Sequence, residues 1–159
     1  MEAERSVEEL IVEQLKAKGW HVTCAESCTG GMVASTLVNV AGASQVFDES
    51  YVTYANSSKN RLLGVQQEAL EKFGAVSRQV AYQMAEGAAM AAGAETAIAV
   101  TGIAGPDGGT PEKPVGLVYI GCSVNGKITV EEYHFKGSRL EVRRQTTQEA
   151  LKLLYRCLK

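Results

Sequence analysis

Three residues with hydroxyl or thiol side chains stand together at Ser27-Cys28-Thr29, followed at once by Gly30-Gly31. A short strand-like run, His21 to Ala25, precedes them, and a helical pattern carrying Val33, Leu37 and Val40 follows. The glycines permit a tight turn and close backbone approach. Amides left unpaired at a helix start attract an anion, either a phosphate or a developing oxyanion. Ser27 and Cys28 are therefore both candidate nucleophiles, and Thr29, Gly30 and Gly31 are candidate anion-binding positions. The competing role for these hydroxyls is plain helix capping.

A nucleophilic serine needs a base. The chain's two histidines, His21 and His134, lie in or beside strand-like segments rather than in a conspicuous loop. A serine–lysine pair is the known substitute, provided burial or neighbouring charge lowers the lysine pKa. Lys59 follows Tyr54-Ala55-Asn56 at a strand-to-helix transition, which makes it the candidate base. Tyr54 is placed either to relay a proton or to hold the lysine neutral. The competing roles are a solvated helix lysine and an ordinary strand aromatic.

A third group surrounds the Gly/Pro-rich stretch Gly102 to Pro114, which reads as an ordered loop. Thr101 and Gly102, at the end of a strand-like run, can present amides to an oxyanion or phosphate, and Gly105 joins them as a substrate-binding candidate. Lys113 and Arg139 are candidate phosphate contacts. Arg139 falls in a first helical turn, where positive charge opposes the helix dipole, so its placement points away from helix stability. Arg143-Arg144 reads by default as a solvated helix face.

Elements of an α/β fold must hold these groups. Ser6 with Glu9 and Ser138 with Glu141 form capping boxes opening a helix that ends at Gly19 and another running to about Cys157. The first carries Val7, Leu10, Ile11 and Leu15 on one face; the last carries Leu140, Ala150, Leu151, Leu154 and Leu158. Phe47 to Tyr54 reads as a strand, with Asn56-Ser57-Ser58 as N-cap candidates for a helix through Leu63. Helices follow over 68–73 and, capped by Ser77, over 78–92. Thr96 to Thr101 is a run suited to a strand buried on both faces. Leu117 to Val124 and Lys127 to Phe135 flank Asn125-Gly126, a strong hairpin signal. The expected architecture is a three-layer α/β/α sandwich, with a mixed central sheet and an antiparallel hairpin near the C-terminus. Ligands in such sheets sit beyond the carboxyl ends of strands, where 26–31 and 102–114 both fall.

At 159 residues, one domain over 1–159 is expected. Net charge is −2 from 16 basic and 18 acidic residues, which argues against nucleic acid or an anionic membrane as partner. No apolar run approaches the roughly 18 residues of a membrane span, and the N-terminus lacks a secretory pattern, so a cytoplasmic protein is expected. The four cysteines contain no C-x-x-C pair and read as reduced, mostly buried thiols; no metal is expected. P-loop, dinucleotide, nucleophile-elbow and H-E-x-x-H signatures are absent from the sequence.

The segments AESCTGG (25–31), VTYANSSKNRLLGV (52–65), GAVS (74–77), VTGIAGPDGGTPEKPVG (100–116) and VRRQT (142–146) resemble the CinA C-terminal domain family over nearly the whole chain. Within it they resemble the single-domain nicotinamide-nucleotide amidases; the N-terminal domain of longer CinA proteins has no counterpart. The resemblance implies hydrolysis of the carboxamide of nicotinamide mononucleotide to nicotinate mononucleotide and ammonia, with no cofactor. It implies Ser27 as nucleophile, Tyr54 and Lys59 as its activating partners, and amides around Thr101 and Gly102 for the oxyanion. Cys28 is then a neighbour and not the attacking group. Arg139 is the candidate for the substrate phosphate. A homo-oligomer is expected, a closed dimer being the commonest assembly. The alternative from another class is a non-catalytic nucleotide-binding or interaction module on the same fold. A DNA-associated competence role is disfavoured by the charge.

Overall fold

The computed structural model describes residues 3–159. A five-stranded sheet has β1 (Val22–Glu26), β2 (Tyr51–Val52), β3 (Thr96–Gly102), β4 (Leu117–Val124) and β5 (Lys127–His134) in the order β2-β1-β3-β4-β5. The β2, β1 and β3 strands are mutually parallel, whereas β4 runs antiparallel to both β3 and β5. Helices α1 (Val7–Lys18), α2 (Met32–Val38) and α6 (Arg139–Cys157) cover one face. Helices α3 (Asn56–Leu63), α4 (Gln67–Phe73) and α5 (Arg78–Ala92) cover the other. This is the expected α/β sandwich with a mixed sheet. No helix among the described residues is long and apolar enough to cross a membrane.

The side-chain alternation of β3 divides the core. Ile98 and Val100 pack among α1, α2 and α6, while Ala97 and Ala99 face α5. Small residues on the second side let α5 approach closely. A Cβ on Gly121 would lie 2.8 Å from Ala81 O, and one on Gly87 only 1.8 Å from Leu63 O.

Both capping boxes form, at Ser6/Glu9 and Ser138/Glu141. Asn125 and Gly126 take positive φ values of 48° and 83°, as the tight hairpin requires. Four expectations are corrected. Only Tyr51–Val52 of the 47–54 run joins the ladder, with Phe47 in an isolated bridge to Val22. Between them the Glu49 carbonyl accepts from the Thr23 hydroxyl (2.7 Å). The α2 helix stops at Val38, and Val40 packs on the core from a tight turn. The N-cap of α3 is Ala55, with no side-chain cap, so Asn56 to Ser58 form its first turn. Leu140 is 43% exposed and lies off the packed face of α6.

Candidate active site

The parallel strands β2, β1 and β3 end at one edge of the sheet, and the turn after each contributes to one cavity of about 260 Å³. Ser27 and Cys28 come from the turn after β1, Tyr54 and Lys59 from the segment after β2, and Gly102 to Gly108 from the loop after β3. Reversal at β4 and again at β5 returns the chain to the same edge, so α6 starts there with Arg139. A larger groove of about 570 Å³ beside α3 and α5, lined by Leu62, Tyr82 and Met90, holds no nucleophile–base pair.

Lys59 is the unusual residue. It is 1% exposed, on the inward face of α3 with Leu63 one turn on. Its Nζ lies 3.2 Å from Ser27 Oγ, 2.8 Å from Thr53 O and 3.5 Å from Tyr54 O. Burial lowers its pKa, opposed by a smaller charge interaction with Cys28. Every hydrogen-bond partner is uncharged. A neutral amine suits the arrangement: two N–H groups meet the two carbonyls, and the lone pair is left for the serine hydroxyl.

Cys28 occupies the same turn, but burial pushes its thiol up to about 11, so at neutral pH it is protonated and a poor nucleophile. Geometry and ionisation together favour Ser27 over its neighbour as the attacking atom.

Tyr54 does not stand between Ser27 and Lys59. Its ring is 62% exposed, and its hydroxyl accepts from Arg139 Nη2 at 3.0 Å. Its backbone carbonyl is the part that meets Lys59. Arg139 also donates through Nη1 to Gly105 O (2.8 Å), closing the cavity rim from α6 to the Gly/Pro loop. Both of its partners are neutral, which leaves the guanidinium charge available at the rim.

The start of α2 departs from expectation. The protein's own Glu26, fully buried, accepts from Val33 N (2.9 Å), Ala34 N (3.0 Å) and the Thr29 hydroxyl (2.6 Å). The helix amides expected to receive an external anion are taken by this internal carboxylate. Thr29 therefore faces inward, while Gly30 and Gly31, with φ of 58° and 110°, shape the turn. In the sequence Glu26 stands at the head of the 26–31 loop with no role assigned to it; its one signal is a carboxylate shortly before a helix start.

Strand parity settles which amides of β3 are free. Ser27 N donates to Val100 O (3.1 Å) and Ile103 N to Leu117 O (2.9 Å). Alternation then turns the peptide groups of Val100 and Gly102 toward β1, and those of Thr101 and Ile103 toward β4. Because β1 ends at Glu26, the Gly102 amide looks past its end into the cavity. The Thr101 amide belongs to the β4 ladder and its hydroxyl donates to Ala75 O (2.8 Å). Gly102 has no room for a side chain: a Cβ would lie 2.5 Å from Val118 Cγ2.

Two basic residues are placed differently from expectation. The Lys113 ammonium donates to Phe73 O at the end of α4, away from the cavity. Arg143 is not on a solvated face: its Nε donates to Cys28 O (2.9 Å) and its Nη2 to Thr29 O (3.1 Å).

The family model described as "CinA C-terminal domain" matches residues 4–158. A nicotinamide-nucleotide amidohydrolase PncC of Enterobacter agglomerans is 49% identical over 158 residues, covering 97% of this chain and 96% of that protein. A CinA-like protein of Kosmotoga olearia is 50% identical over 155 residues, and there the chain spans only 38% of the relative's length. Among solved structures, competence/damage inducible protein CihA from Agrobacterium tumefaciens is 43% identical with a TM-score of 0.88, covering 99% of both chains. A CinA superfamily protein from Klebsiella pneumoniae is 34% identical with a TM-score of 0.92, covering 96% of this chain and 95% of that one.

Proposed function

The chain belongs to the CinA C-terminal domain family, and we propose that it is a nicotinamide-nucleotide amidohydrolase that releases ammonia from nicotinamide mononucleotide. The observation carrying the mechanism is the buried Lys59 amine 3.2 Å from the Ser27 hydroxyl. A binding module without hydrolysis has no use for an amine desolvated against a serine.

Neutral Lys59 takes the Ser27 proton as Oγ attacks the carboxamide carbon, forming a tetrahedral oxyanion. Gly102 N–H and the Cys28 and Thr29 amides, which among the described residues donate to no other residue, are the donors offered to that charge. The Lys59 ammonium returns its proton to the leaving nitrogen, ammonia departs, and an acyl ester on Ser27 remains. Water then attacks the ester, Lys59 again accepting the proton, and nicotinate mononucleotide leaves as Ser27 regains its hydrogen. Arg139, which has no carboxylate partner among the described residues, meets the substrate phosphate, with Tyr54 holding the guanidinium in place. This reading carries with it a cytoplasmic protein acting on a small molecule.

The test is ammonia release from nicotinamide mononucleotide by purified protein treated with EDTA, with Ser27→Ala alongside. Release by the wild type that disappears in the variant is expected. A folded wild type that binds the nucleotide and releases no ammonia leaves the non-catalytic module as the reading.

A further inference from the structure

Arg143 lies on the second turn of α6 and reaches across to the turn that carries Ser27. Its planar fork donates to two successive carbonyls, Cys28 O at 2.9 Å and Thr29 O at 3.1 Å. Each peptide is planar and trans, so holding those carbonyls fixes the planes that contain the Thr29 and Gly30 amides and turns both N–H groups away from the guanidinium. The Gly30 amide closes back on Ser27 O at 3.1 Å. Among the described residues, neither the Cys28 nor the Thr29 amide donates to another residue. From the opposite side Glu26 holds the Thr29 hydroxyl and the start of α2. The turn is thus held by the Arg143 guanidinium on two of its carbonyls and by the Glu26 carboxyl group on its Thr29 hydroxyl. Its two glycines, both at positive φ, offer little stiffness of their own.

We propose that Arg143 is a positioning residue for the reaction: by bridging the carbonyls of Cys28 and Thr29, it sets the peptide planes of the Ser27 turn and so holds Ser27 Oγ against Lys59 with the Cys28 and Thr29 amides open. It makes no contact with substrate. The proposal rests on Ser27 being the nucleophile of the amidase reading. A lysine in its place keeps the charge and loses the paired donors, so charge alone does not replace it.

The experiment compares Arg143→Ala and Arg143→Lys with the wild type in three measurements. These are steady-state hydrolysis of nicotinamide mononucleotide, the rate at which a sulfonyl fluoride labels Ser27, and restoration by guanidinium chloride at non-denaturing concentration. Thermal melting monitors the fold. A misplacement of about 1 Å at a reacting atom can cost about 100-fold, so kcat should fall roughly 10- to 100-fold in Arg143→Ala. KM should stay within about threefold, as expected when an interaction serves the transition state and not ground-state binding. Ser27 labelling should slow in parallel, and added guanidinium should restore part of both rates. Arg143→Lys should lose rate in the same direction and keeps the test alive if the alanine variant does not fold. Unchanged kcat overturns the proposal. So does a rise in KM at constant kcat, which would make Arg143 a substrate contact. A rate loss that guanidinium does not restore and that follows a fall in melting temperature would make its role purely one of folding. If the wild type hydrolyses no nucleotide, the amidase reading fails by itself, and the Ser27 labelling rates still decide whether Arg143 sets the turn.

Discussion

Replacing Lys59 by methionine separates catalysis from folding most cleanly. Methionine retains much of the stem's volume in a site that is 1% exposed and removes the amine that lies 3.2 Å from Ser27 Oγ. General-base assistance is worth roughly 10²- to 10⁴-fold. At about 1.4 kcal/mol per factor of ten, that is roughly 3 to 5 kcal/mol of transition-state stabilisation. Lys59→Met should therefore lower kcat by roughly 10²- to 10⁴-fold. Serine and lysine act as a unit in this mechanism, so Ser27→Ala combined with Lys59→Met should cost no more than the worse single change. The pH dependence has a definite sign. Burial favours the neutral amine, so activity should rise with pH through the lowered Lys59 pKa, on a limb below the ordinary lysine range. Between the folded and unfolded pKa values the unfolded chain binds more protons, so stability rises with pH across that window. Lys59→Met should lose that rise. Coupled detection of ammonia across pH, with thermal melts on the same samples, measures all of this. The reasoning is refuted if Lys59→Met hydrolyses within about threefold of wild type, or if the single-variant losses add in the double variant.

Cys28→Ala should keep kcat within about threefold, because a thiol raised to about 11 contributes no thiolate at neutral pH. In iodoacetamide labelling followed by mass spectrometry, Cys157, half-buried and lowered to about 6 chiefly by a hydrogen bond from Cys122, should react well before Cys28; the reverse order contradicts the assignment. Glu26→Gln should destabilise by roughly 2 to 4 kcal/mol, since one carboxylate oxygen that accepts buried bonds becomes a donor. At about 2 to 4 °C per kcal/mol for a chain of this size, calorimetry should show a fall of roughly 5 to 15 °C in Tm; an unchanged melting temperature would mean that the buried carboxylate does not hold the start of α2.

Local chemistry made much of this molecule legible before folding. Capping boxes at Ser6 and Ser138 and the Asn125-Gly126 hairpin involve residues within a few positions of each other, so their geometry follows from sequence order. The apolar run of β3 showed its burial because both faces of that strand meet helices. Where reading along the chain failed, a distant group had intervened. Thr23 captures the Glu49 carbonyl and interrupts the run predicted as a long strand. Glu26 fills a helix N-terminus that seemed open, and Phe73 draws Lys113 away from the cavity.

The site divides the same way. Ser27, Tyr54, Lys59 and Gly102 were singled out from residue type, turn chemistry and family resemblance, because a nucleophile, an amine and a glycine-rich loop have recognisable local signatures, and all four line one cavity. Sequence could not say that Lys59 is desolvated, that Tyr54 points to Arg139, or that Arg143 grips the turn 114 residues earlier in the chain. Burial and peptide-plane direction depend on what packs from elsewhere: three parallel strands ending at one edge, and a last helix returned there by two antiparallel reversals. The sequence determined which functional groups exist; the tertiary structure decided their protonation and aim, because desolvation and orientation are properties of surroundings assembled from distant parts of the chain.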